Sequence, residues 1–83
     1  MGEEALAVRD LLATLVRGLV QEPGRVSVRE RPRGEVTVLE VGVAPGDRGR
    51  VIGRHGRSAE ALRTLLGAVA RRNGTRCELE ILE

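Results

Sequence analysis

Between Val51 and Ser58 the chain reads Val-Ile-Gly-Arg-His-Gly-Arg-Ser. Gly53 and Gly56 stand three apart and enclose Arg54 and His55. Glycines so placed let the backbone turn sharply and present amides with no Cβ in front of them. The run that follows, Ala59 to Arg72, has helical periodicity, which puts those amides at the opening of a helix. A helix opening has unpaired N–H groups and a partial positive charge, both suited to a phosphate. Arg54 and Arg57 add guanidinium donors on either side. The predicted chemistry is a grip on a phosphate backbone, and the best single account of the chain is a small nucleic-acid-binding domain.

The charge distribution agrees. A net charge of +2 says little, but all fourteen basic residues are arginine and they are unevenly placed. Arg48, Arg50, Arg54, Arg57, Arg63, Arg71, Arg72 and Arg76 fall in a span whose one acid is Glu60, a local balance of +7. Most of the compensating acid lies near the N-terminus and in Glu78, Glu80 and Glu83. A field of this kind attracts polyanions and orients their approach. Phe, Tyr and Trp are absent, which weighs against bases stacked on aromatic rings. Recognition is left to backbone amides, arginines and aliphatic surface.

Other classes fit poorly. The only histidine, His55, has no acid fixed beside it, and no serine or cysteine accompanies a base, so no enzyme is predicted. Asp47 and Glu60 flank the loop but are too isolated to suggest a metal. The phosphate loop of nucleotide-binding enzymes ends in lysine, and this chain has none. No cofactor is predicted. No apolar run approaches a membrane-spanning length, and the acidic start is unlike a secretory signal. One cysteine, Cys77, can form no internal disulfide and fits a reducing compartment, most simply the cytoplasm. The expected role of Cys77 is a small core filler.

Eighty-three residues predict one domain, with a core over about residues 5–82. The first helix is expected from Glu4 to Val20. Its wide apolar stripe comprises Leu6, Val8, Leu11, Leu12, Leu15, Val16, Leu19 and Val20. Val26 to Glu30 reads as a strand, Arg31 to Glu35 as a hairpin turn, and Val36 to Val43 as a second strand. In that strand Thr37, Leu39, Val41 and Val43 make the core face, which leaves Val36 and Val38 outside as a surface for self-association. Asp47 to Ile52 is a short helix. A third helix, capped by Ser58 or Gly56, turns Ala59, Leu62, Leu65, Leu66, Val69 and Ala70 inward. Asn73-Gly74 stops it, and Thr75 to Leu82 is the last strand. The fold class is α+β: a three-stranded sheet with three helices on one face, in the order α-β-β-α-loop-α-β.

That order, with a GxxG loop between the second and third helices, resembles the KH domain in its type II arrangement. The extended run Gly49-Arg50-Val51-Ile52-Gly53-Arg54-His55-Gly56-Arg57, after Val43-Ala44-Pro45-Gly46-Asp47 and before Ala61-Leu62-Arg63-Thr64-Leu65, is similar to the small stand-alone bacterial KH proteins of the KhpA (YlqC) family. The resemblance covers Leu11 to Leu82. It implies that Gly53, Arg54, His55 and Gly56 carry the backbone of single-stranded RNA and that Ile52 lines the adjacent base groove. Arg50 and Arg57 fall at basic positions of the family, and Arg63 adds charge on the third helix. The resemblance further implies an RNA chaperone or post-transcriptional regulator that forms homodimers and pairs with a larger KH-containing protein, in a system linked to cell shape and division. The sequence departs in using arginine where the family uses lysine, and His55 where glutamine is commoner. The competing expectation is an adaptor that uses the fold to bind protein, for which the wide first helix and the outer valines are the evidence.

Overall fold

The computed structural model describes the backbone of residues 2–83 and the side chains from Val8 onward. Helix α1 spans Gly2–Arg17, strand β1 Ser27–Arg33, strand β2 Val36–Gly42, helix α2 Arg48–Ile52, helix α3 Arg57–Arg72 and strand β3 Cys77–Ile81. Single 3-10 turns lie at Pro23–Arg25, Pro45–Asp47 and Arg54–Gly56. Strand β2 is central, antiparallel to β1 and parallel to β3. The α+β architecture predicted from the sequence is the one found.

The core lies on one face of the sheet. Leu39, Val41 and Leu79 meet Val8, Leu12 and Val16 of α1, Val51 of α2, and Leu62 and Leu66 of α3. The alternation of β2 sends Leu39 and Val41 inward, with Val43 packed against the same cluster. Leu6, expected in the α1 stripe, lies outside the described side chains.

Several boundaries differ from expectation, each for a local reason. Helix α1 stops at Arg17 rather than Val20: Gly18 is a poor helix former, and its amide is shared between the carbonyls of Thr14 and Leu15 at 3.2 Å each. Beyond that point Val20 still packs on the core, whereas Leu19 is 39% exposed. Strand β1 runs on through Pro32 to Arg33, so only Gly34 and Glu35 form the hairpin turn. Proline is accepted there because β1 is an edge strand. Leu65 is the third correction. Periodicity places it inward, yet it is 42% exposed, because α3 buries the stripe through Leu62, Leu66 and Ala70.

The outer sheet face is not the open valine surface anticipated. Register places Arg31 beside Val38, and Val38 beside Glu78. Arg31 reaches across β2 to Glu40 at 2.5 Å and to Glu80 at 3.0 Å, and Arg33 pairs with Glu78. Val38, lying among these side chains, is only 2% exposed. The aliphatic stems of the arginines cover it while their heads stay in water. This face offers charge to a partner, not valine.

The acid that seemed isolated in sequence has a structural role. Asp47 is 2% exposed, and its two carboxylate oxygens accept the backbone N–H groups of Gln21 and Glu22 at 3.0 Å each. Arg50 adds its ε-nitrogen at 3.3 Å. The connection after α1, whose amides belong to no ladder, is thereby tied to the turn that launches α2.

Candidate nucleic-acid interface

Helix α2 ends at Gly53, whose amide closes on the Gly49 carbonyl at 2.8 Å. Gly53 has φ +80°, and an added Cβ would lie 2.4 Å from Ser58 Oγ and 2.8 Å from the Ser58 amide nitrogen. Any larger residue would be strained by both the dihedral and the contact. Ser58 therefore packs against the loop, and the cap of α3 falls to Gly56, which has no side chain to accept an amide. The opening of this sixteen-residue helix carries no side-chain cap. His55, at φ +58°, is the one non-glycine residue with positive φ among those described. Histidine tolerates this region better than most side chains.

Around the loop the predicted residues divide. Arg54, His55 and Arg57 are exposed, and Ile52 is half-buried. Arg54, Arg57, Arg63, Arg71 and Arg72 have no acidic partner among the described residues, so their guanidinium groups are open to an anion. Arg50 is different. Its ε-nitrogen faces Asp47, although its side chain remains 48% exposed.

A trough leads away from the loop. Its near end is walled by Arg48, Ile52, Gly56, Ala59 and Arg63 on the helical side and by Leu79, Glu80 and Ile81 of β3 on the other. It continues past Arg63, Leu66, Cys77 and Glu78 toward Arg71, Thr75 and Arg76. Since β3 has no outer neighbour in the sheet, its edge forms one bank. Sequence reasoning named Ile52 and Arg63 but missed Ala59, Leu79 and Ile81, which read there only as core. The alternation of β3 could not reveal that its edge was left free.

Cys77 sits half-buried in this trough, packed against the core. Burial, helped by the charge of Glu30 and opposed by a hydrogen bond from Thr75, pushes its thiol up. A protonated thiol here is filler, as expected. Among the described residues no cluster of three His, Cys, Asp or Glu side chains forms a metal site, and no helix is long and apolar enough to cross a membrane.

One helix, a hairpin, and a helix–GxxG–helix unit returning to a parallel strand together define a type II KH domain. A family model described as the KH domain of KhpA and KhpB matches residues 9–81. The chain belongs to that family, a non-enzymatic one. It is 47% identical to the RNA-binding protein KhpA of Treponema pallidum, over 89% of this chain and 92% of the relative. It is also 42% identical to the KhpA of Aquifex aeolicus, over 93% and 98%. With the KhpA of Leifsonia xyli it shares 49% identity, over 87% and 92%.

Proposed function

We propose that this protein binds single-stranded RNA, the backbone held at the Gly53–Gly56 loop and the bases laid in the trough beside it. The observation that carries this reading is the opening of α3 behind that loop, which has no side-chain cap, with Arg54, Arg57 and Arg63 around it free of acidic partners among the described residues. The relatives are named RNA-binding proteins, which supports the same reading. Amides and arginines fix position, and the aliphatic trough gives weak sequence preference. A KH groove takes about four nucleotides. A labelled RNA titrated with protein by fluorescence anisotropy, beside the same sequence as DNA and as a duplex, tests the proposal. Saturable binding to the single-stranded RNA is expected; its absence at low salt overturns the reading.

Arg71 and Arg72 lie at the far end of α3, roughly 20 Å from Arg57 at ~1.5 Å rise per residue, where phosphates of a strand longer than the loop site would meet them. On single strands each phosphate neutralised contributes about 0.7 to the slope of log affinity against log salt. The Arg71→Ala/Arg72→Ala protein is therefore expected to bind a long RNA more weakly and with a flatter salt dependence. A four- or five-nucleotide RNA should bind it as it binds the wild type. Equal weakening of both ligands would show that these arginines contact the short ligand as well and overturn the expectation.

Self-association belongs to the same proposal. The outer sheet face is charged, whereas Leu19, just past α1, and Ala61, Leu65 and Ala68 of α3 are exposed apolar residues. Two α3 helices crossing antiparallel near Leu65 would bring Glu60 of one copy toward Arg71 of the other, a self-complementary pairing. Linking two grooves in this way raises avidity for a long strand. Light scattering should give twice the 9.0 kDa chain mass for the wild type and a single chain mass for Leu65→Glu. A dimer that survives Leu65→Glu uses another face. We further propose that the protein acts as an RNA chaperone or regulator in the cytoplasm, pairs with a larger KH protein and takes part in cell shape and division.

A further inference from the structure

One bank of the trough is acidic. Glu80 lines it beside Arg48, Ile52 and Gly56, and Glu78 lines the next stretch beside Arg63, Leu66 and Cys77. Both side chains are about half exposed, at 52%. Two free carboxylates in that place would repel the phosphates of any strand held in the trough. They are not free. Glu80 receives Arg31 and Glu78 receives Arg33, both sent from β1 at the opposite edge of the sheet. Arg31 is fixed further by Glu40 on the intervening strand.

We infer that Arg31 and Arg33 tune the nucleic-acid groove from the far side of the sheet, neutralising the glutamates of its bank without touching the ligand. The inference rests on the RNA-binding reading and adds two positioning residues to it. Neither arginine lines the trough, and both lie outside the basic span from Arg48 to Arg76. Ion pairs this exposed contribute little to folding, so their charge is available for another purpose.

The expected size follows from Coulomb's law. In a uniform water-like dielectric, one arginine charge lost ~7 Å from a phosphate weakens binding about threefold, and two lost at that distance about sevenfold. Salt should suppress the loss, since the Debye length is about 8 Å at physiological ionic strength.

A double-mutant cycle separates this effect from a general loss of positive charge. Affinity for a short single-stranded RNA is measured at low salt for the wild type, Arg31→Gln/Arg33→Gln, Glu78→Gln/Glu80→Gln and the four-fold variant, with melting temperatures compared. The arginine changes should weaken binding by up to about sevenfold against wild-type glutamates, which hold the guanidinium groups at the bank, and less against glutamines, which release them; simple superposition of charges would give equal losses. The same loss in both backgrounds, or none in either, overturns the inference. Should the four-fold variant fail to fold, Arg33→Gln, Glu78→Gln and their combination supply the same cycle on one pair. The Arg54→Asp/His55→Asp protein serves as control. If it binds like the wild type, the loop reading itself has failed; if it loses binding while the cycle is additive, only the tuning role has.

Discussion

The Arg54→Asp/His55→Asp protein is expected to lose affinity for single-stranded RNA by at least about a hundredfold while keeping its fold. One guanidinium–phosphate contact is worth about 1.5–3 kcal/mol, and each new carboxylate beside a phosphate adds repulsion on the order of 1 kcal/mol. The fold is spared for a conformational reason as well as an electrostatic one. Both residues are exposed, and His55 occupies the left-handed region, which aspartate also visits readily. Loop geometry is thus retained while its sign is inverted. Anisotropy against a short RNA, with circular dichroism to verify the fold, decides the matter. Affinity within threefold of wild type would remove the loop from the grip.

The second large effect is on stability. Asp47→Ala should cost about 3 kcal/mol, because it removes the acceptor of two backbone amides and leaves the Gln21 and Glu22 N–H groups without their partners. In a domain of this length each kcal/mol lowers the melting temperature by roughly 4–8 °C, so a fall of more than about 10 °C is expected. Asp47→Asn keeps one carbonyl oxygen but turns an NH2 group toward an amide donor, and should fall between the two. Urea unfolding of the three proteins tests this. A change below about 0.5 kcal/mol for alanine would show that water replaces the carboxylate at no cost.

These two sites differ in how visible they are without coordinates. The loop was legible because it is local: glycine spacing, the arginines and the onset of helical periodicity all fall within a few residues. Asp47 was not, because its partners lie 25 and 26 positions away and are backbone groups, which leave no trace in residue type. Val38 was misread for a related reason. Its cover comes from β1 and β3, and only the register between strands brings Arg31 and Glu78 alongside it. At Leu65 periodicity marks a broad apolar stripe but not how far a neighbour extends over it. In the hairpin, Pro32 reads in sequence as turn punctuation, whereas an edge strand accommodates it.

Pro32 also bears on how the protein behaves when crowded. Its register partner Thr37 directs its amide to Arg76, away from β1, so the pair shares no ladder bonds and the backbone of Pro32 faces outward. An outward edge position is where another chain would seek a donor to add a strand. Pro32 has none to give, and the outward row of N–H groups is interrupted there. The opposite edge, β3, borders a trough rimmed with arginines, whose like charge discourages a second copy from docking there. Both routes to edge-to-edge strand addition are thus obstructed, one by a missing hydrogen and the other by repulsion.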